Sequence, residues 1–155
     1  MTVLNYTTKI AASKTVGEIQ AMLAKHGASR IATDYHDGGP SGLTFSLTTA
    51  HGPKVFSLPV NVTAMHRLLK AEQGAGSLRS GGVSVAVLTS REHAERVAWR
   101  VMKDWLEAQL ALVQTEMAAI DQVLLPYLHL DNDRTMYAAY VEREGALAIE
   151  GGAGA

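Results

Sequence analysis

The feature that most constrains the fold is a run from Thr89 to Leu125 that contains neither glycine nor proline. A capping box, Thr89-Ser90-Arg91-Glu92, opens the run, and Pro126 follows it. At 1.5 Å per residue the run predicts a helix roughly 50 Å long, longer than a small domain is wide. Such a helix must bend, project into solvent or meet a partner.

The apolar pattern of this predicted helix indicates self-association. One apolar row recurs every seven residues, and a second row made of Ala98, Trp105, Leu112 and Ala119 lies beside it. Together they form a stripe wider than one contact with a sheet requires. We therefore predict a homo-oligomer assembled through the first row, Trp99, Leu106, Val113 and Ile120.

The residues before this helix predict an antiparallel sheet. Alternating β-formers and turn residues place strands at 6–10, 29–35, 43–49 and 54–60, with a helix at about 15–26 after the first of them. A short helix follows at 61–73, and 83–88 is either a fifth strand or an apolar lead into the long helix. A short final helix is expected at 134–144. The predicted class is α+β, a β-α-β-β-β sheet followed by helices.

Length and composition predict one domain over residues 1–150, with the sheet part at about 1–88, the helical part at about 89–145 and a flexible tail at 146–155. The absence of cysteine excludes disulfides, thiolate nucleophiles and cysteine-ligated metals. Neither an export signal nor a membrane-spanning apolar stretch is recognisable, so the cytoplasm is the expected compartment.

The charges are divided unevenly along the chain. Residues 1–103 carry twelve Lys/Arg and six Asp/Glu, whereas residues 104–155 carry two and nine. The split indicates either an anion-binding front half or two halves that pair with each other.

Two surfaces could hold a nucleic-acid strand. On the long helix, Arg96, Arg100 and Lys103 can form a basic face beside two tryptophans, although tryptophans on a buried helix are more often core residues. On the sheet, aromatic residues could stack bases, although Phe45 and Phe56 suit a core better. Basic residues of the sheet and of the glycine-rich loop at 74–82 could contact the phosphates. The remaining candidates for nucleic-acid binding are therefore Tyr6, Lys9, Arg30, Tyr35, Lys54 and Arg79.

No pattern of catalytic or cofactor chemistry is recognisable. The histidines His26, His36, His51, His66, His93 and His129 show no metal-ligand spacing, and Asp131-Asn132-Asp133 lacks the later ligands of a calcium loop. A nucleophile elbow, a phosphate-binding loop and a carboxylate dyad are equally missing. We expect no cofactor or metal, and the pattern disfavours an enzyme.

The segments Ala98-Trp99-Arg100, Lys103-Asp104-Trp105 and Glu107-Ala108-Gln109, with Leu125-Pro126-Tyr127, resemble small uncharacterised proteins of tailed-phage and prophage genomes. The similarity extends to His26-Gly27-Ala28 and Phe56-Ser57-Leu58-Pro59. That group has no agreed activity, so the resemblance implies a bacterial host and no catalytic residues. In element order the chain also looks like small archaeal single-strand-binding proteins with a helical zipper, which is an analogy of fold.

These observations favour a non-catalytic phage-type accessory protein that binds single-stranded nucleic acid without sequence preference. The alternative is an oligomeric interaction or inhibitor protein that docks on a host protein or sequesters a small anionic ligand. The sequence leaves open the choice between DNA, RNA and other partners, the oligomer number, and whether the basic residues share a face.

Overall fold

A computed structural model describes residues 2–78, 82–131 and 134–153. It confirms the α+β class, with a three-stranded antiparallel sheet in the front half of the described chain and helices dominating the rest. In chain order the elements are α1 (Ala12–Lys25), β1 (Arg30–His36), β2 (Gly39–Thr49), β3 (Gly52–Pro59), α2 (Val62–Gly74), α3 (Val85–Leu88), α4 (Arg91–Gln114), α5 (Ile120–Val123), a 3-10 turn (Leu125–Tyr127), β4 (His129–Asp131), β5 (Arg134–Thr135) and α6 (Met136–Ala153).

The sheet is a meander of β1, β2 and β3 with one buried face. In register, Ile31 lies opposite Phe45 and Phe45 opposite Phe56. Side chains alternate between the two faces of a strand, so these residues share the inner face, where the rings of Phe45 and Phe56 stack with centroids 5.8 Å apart. The outer face carries Arg30, Ala32 and their cross-strand neighbours and remains accessible.

A layer of helices covers the inner face, with α4 in contact with both α1 and α2. Gln20 Nε2 donates to Thr33 Oγ1 over 3.0 Å, which places α1 above the edge strand β1. Trp99 is fully buried, and its indole N–H donates to the carbonyl of Pro40 over 3.0 Å. This contact fixes the N-terminal half of α4 against the start of β2.

The predicted long helix is wrong in its C-terminal third. It ends at Gln114, because Glu116 adopts a left-handed conformation with φ of 61°. The Met117 N–H bonds to the Leu112 carbonyl and the Glu116 N–H to the Val113 carbonyl, which is a Schellman cap. Glycine usually occupies the left-handed position, so the sequence carries no signal for this end. The chain turns back and places Ile120 in α5.

The predicted first strand at 6–10 does not form. The N-terminal segment turns at residues 4–7, where Asn5 has φ of 62°, and it then lies against the helices. Asn5 Nδ2 donates to Asp104 Oδ2 over 2.7 Å, and His93 Nε2 contacts the carbonyl oxygen of Tyr6. These two partners on α4, the exposed Asp104 and the buried His93, replace the strand pairing that the alternation indicated.

Two further predicted elements differ. Residues 85–88, predicted to be either part of a fifth strand or an apolar lead into the long helix, form the short helix α3, whose N-cap is Ser84. The final helix continues past Glu144 to Ala153, through most of the predicted tail. From Tyr140 to Gly152 none of its side chains is buried. In the described ranges, no helix is both long and apolar enough to cross a membrane.

Candidate functional site

A polar cleft lies where the end of β1, the start of α2 and the first turns of α4 meet. Its volume is ≈ 450 Å³, and its polar lining includes His36, Asn61, Arg91 and Glu95, with Tyr35 at its edge. A cavity of this size suits a small molecule.

Glu95 is the unusual group of this cleft. Its carboxylate occupies the space that a side chain at position 39 would fill, since a Cβ built on Gly39 would lie 2.1 Å from Glu95 Oε2. Burial raises the pKa of Glu95, and the negative charge of Glu92 raises it further, while Arg91 and Arg96 oppose the shift. Arg91 in turn donates to Thr63 Oγ1 over 3.2 Å. The cleft therefore offers a proton-accepting carboxylate beside a guanidinium.

A chain of hydrogen bonds crosses the outer face of the sheet. Thr44 Oγ1 donates to Asp34 Oδ2 over 3.1 Å, Ser57 Oγ lies 3.0 Å from Thr44 Oγ1, and His129 Nε2 lies 2.6 Å from Ser57 Oγ. Because the Thr44 proton is committed to the carboxylate, Ser57 donates to Thr44 and accepts from the imidazole. His129 therefore does not withdraw the Ser57 proton, and the pair lacks the arrangement of a serine nucleophile with its base.

The predicted aromatic platform is not assembled on one sheet face. Phe45 is in the core, as expected, whereas Tyr6 is half-buried outside the sheet. Tyr35 is 70% exposed at the end of β1. Arg30 is exposed on the outer face, while Lys54 shares the opposite face with its cross-strand partner Leu47.

The predicted basic face of α4 is paired with carboxylates. Arg100 Nη1 lies 2.6 Å from Glu18 Oε2 of α1, which leaves little of either group for a ligand. Arg96 pairs with Glu92 over 3.2 Å, and Lys103 with Glu107 over 3.1 Å. A phosphate would have to displace these carboxylates in order to bind here.

The edge formed by α1 and β1 presents the predicted candidate Arg30 and two further cations, Lys14 and Lys25, that were not predicted. Lys14 and Lys25 are exposed and make no ion pair within the described ranges, and neither does Arg30. The two lysines are separated by three helical turns, so they lie on one side of α1, about 16 Å apart. The spacing of eleven residues is the signal in the sequence that could have placed Lys14 and Lys25 on one side of the helix. Lys9, also exposed, lies near the start of the same helix.

The predicted oligomer seam is largely internal to the monomer. Trp99 and Leu106 are fully buried against the sheet and the neighbouring helices, so they cannot form an exposed seam. Val113 and Ile120 are half-buried and lie on different helices. The apolar repeat of α4 thus describes an intrachain core.

The remaining candidates add no assembled site. Across residues 2–78, 82–131 and 134–153 there is no group of three or more His, Asp or Glu side chains that could hold a metal ion. Arg79 of the glycine-rich loop and Asn132-Asp133 of the final turn lie outside the described residues. His66 Nε2 contacts the Thr89 carbonyl over 2.8 Å, which ties α2 to the start of α4.

Together these elements define a two-layer α+β domain with a polar cleft, a basic edge and an accessible sheet face. Comparisons of the chain with protein-family models, with curated proteins and with solved structures find no match.

Proposed function

We propose that the chain is a non-catalytic accessory protein of a tailed phage or prophage that binds single-stranded nucleic acid, without sequence preference, in the cytoplasm of a bacterial host. The observation that carries the proposal is the α1–β1 edge, where exposed Lys14, Lys25 and Arg30 are free of ion pairs in the described chain. The strand would run along α1 rather than along the carboxylate-paired face of α4.

The chemistry of this edge suits a flexible polyanion. Lysines about 16 Å apart can contact phosphates several nucleotides apart without fixing the bases between them. Tyr35, 70% exposed on the same edge strand, offers one ring face for stacking. Contacts of this kind are independent of sequence and weaken as salt rises.

The test is binding of the full chain to a labelled single-stranded oligonucleotide across a range of salt concentrations, with duplex as competitor. Lys14→Gln with Lys25→Gln should make the slope of log K against log salt shallower by about 1.4, at about 0.7 per phosphate contact. The matched control, Arg67→Gln with Lys70→Gln, removes two exposed cations from α2 and should leave the slope unchanged. Absence of binding at low salt would refute the proposal, and equal effects of the two pairs would refute the assigned edge.

A second candidate function is capture of a small anionic ligand in the Glu95 cleft. The presence of Arg91 and His36 in the lining favours it. Arg91→Gln should then weaken binding of a small dicarboxylate probe, measured by calorimetry, while Glu95→Gln should strengthen it by removing the opposing charge. No heat of binding with either variant or with the unmodified chain would exclude this role for dicarboxylates.

A further inference from the structure

Helix α6 presents an apolar face that no other described part of its own chain covers. Tyr137, Tyr140, Val141 and Leu147 recur at helical spacing, and all four are exposed. The helix contacts its own chain mainly through the 3-10 turn and β5 at its start. Four large apolar side chains on one exposed stripe are more than a monomeric surface usually shows.

One acidic residue lies inside this stripe. Glu144 follows Tyr137 by seven residues and Tyr140 by four, so it lies on the same face as both. A carboxylate surrounded by apolar side chains needs a cation opposite it when that face is covered, because burial of an unpaired charge is strongly unfavourable. The covering surface must therefore be mainly apolar and carry one positive charge.

One part of the outer face of the sheet, around Arg30, has this composition. A groove of ≈ 500 Å³ runs across it, lined by the side chains or backbone of Arg30, Ile31, Ala32, Thr44, Phe45, Ser46 and Val55. Arg30 is the only charged residue in that lining, and it makes no ion pair within the described chain. The groove is thus a counterpart of the α6 face in polarity and charge.

We propose that the α6 face of one copy packs into the sheet groove of a second copy, with Glu144 opposite Arg30. Each chain supplies one helix and one groove. Two copies related by a twofold axis can therefore each place α6 in the groove of the other, which closes the assembly as a dimer. One helix face alone buries less than the roughly 800 Å² per partner of a standard interface, and two reciprocal contacts bring the dimer toward that area. The contact needs no nucleic acid and goes beyond the proposed function.

The test is the mass of the full chain in solution without nucleic acid, measured by analytical ultracentrifugation over a range of concentrations. Arg30→Glu and Glu144→Arg should each raise the dimer dissociation constant by about tenfold or more, because each puts like charges in the contact. An equimolar mixture of the two variants should restore the dimer, since both contacts then join opposite charges. The controls are Glu150→Arg, on another side of α6, and Arg67→Glu on α2, and both should leave the dimer unchanged.

A second pair of variants tests the apolar part of the contact. It replaces the first pair if circular dichroism shows that Arg30→Glu or Glu144→Arg is unfolded. Leu147→Asp disables the helix and Ala32→Arg obstructs the groove, and each alone should be monomeric. Their mixture keeps one intact helix and one intact groove, so it should form a heterodimer weaker than the original dimer. A monomeric unmodified chain at high concentration would overturn the proposal. So would a dimer that Glu144→Arg disrupts but Arg30→Glu and Ala32→Arg do not, because that result would indicate pairing of α6 with α6.

Discussion

Replacement of Trp99 by phenylalanine tests whether the apolar repeat of α4 serves the core or a partner. Trp99 is fully buried, and its N–H donates to the Pro40 carbonyl. The substitution keeps an aromatic ring but removes this donor and part of the buried volume. If Trp99 is a core residue, the loss of stability must be large and must not depend on protein concentration.

The size of the loss follows from the two deleted features. Leaving the half-buried Pro40 carbonyl without its partner costs about 1–2 kcal/mol, toward the lower end of the usual range because water can reach it. The smaller ring leaves up to about 40 Å³ unfilled, which adds about 1 kcal/mol. The sum of about 2–3 kcal/mol corresponds to a fall in Tm of about 4–12 °C for a domain of this size.

The assay is urea unfolding followed by circular dichroism at two protein concentrations, with Trp105→Phe as the matched control. Trp105 is half-buried and has no hydrogen-bond acceptor in the described chain, and its edge-on contact with Tyr127 survives as a phenyl contact. The control should lose less than about 1 kcal/mol. Equal losses for the two variants, or a Trp99→Phe loss that grows on dilution, would refute the assignment of Trp99 to an intrachain core.

Three further predictions concern the sheet and the cleft. Gly42→Ala should cost about 1–3 kcal/mol in urea unfolding, because its Cβ would lie 2.8 Å from the backbone carbonyl of Leu58, whereas Gly39→Ala meets only the flexible end of Glu95 and should cost less. Glu95→Gln should stabilise the protein at neutral pH but not at acid pH. Burial raises the pKa of Glu95, so the folded state holds the proton more tightly, and the free energy of unfolding falls as pH rises from about 4.5 through the higher folded pKa. Unfolding measured against pH should show this fall in the unmodified chain and not in the variant. Tyr35→Ala should weaken single-strand binding by the about 1–3 kcal/mol that one stacked base contributes, measured by anisotropy at fixed salt, and an unchanged affinity would remove the ring from the interface.

The sheet could be predicted because its signals are local. Asp37-Gly38-Gly39-Pro40 marks a turn, and residues 37 and 38 do adopt positive φ there. The apolar alternation on either side then fixes which face of β2 and β3 is buried. Short-range chemistry of this kind determines both the register and the face.

The errors arise where a distant partner decides the outcome. Alternation at 6–10 suits a strand, but Asp104 of α4 accepts a hydrogen bond from the adjacent Asn5, and His93 of α4 contacts the carbonyl oxygen of Tyr6. A seven-residue apolar repeat describes a buried face without specifying whether it is covered by the same chain or by another. At Glu116 the left-handed conformation that ends α4 occurs without the glycine from which the end of the helix could have been predicted.

The candidate sites were less accessible to sequence reasoning for the same reason. Arg100 pairs with Glu18, 82 residues away, and Glu95 fills the space left by Gly39 in a different element. Counting charges therefore overestimated the basic character of α4 and missed Lys14 and Lys25, whose isolation is visible only once their surroundings are known.

The uneven charge of the chain acquires a more specific meaning in the folded molecule. Its cations on α4 are largely neutralised, so the accessible positive charge includes the α1–β1 edge and the exposed Arg67 and Lys70 of α2, and the accessible negative charge includes Glu144 on α6. Arg30 belongs to both proposed surfaces, whereas Lys14 and Lys25 lie outside the groove. If Glu144 of a second copy pairs with Arg30, dimerisation removes one possible phosphate contact and leaves Lys14 and Lys25 available. Single-strand binding by Arg30→Gln would then fall less than the loss of a whole cation implies. Salt weakens the ion pair and the phosphate contacts together, so mass and nucleic-acid affinity have to be followed in the same titration to separate them.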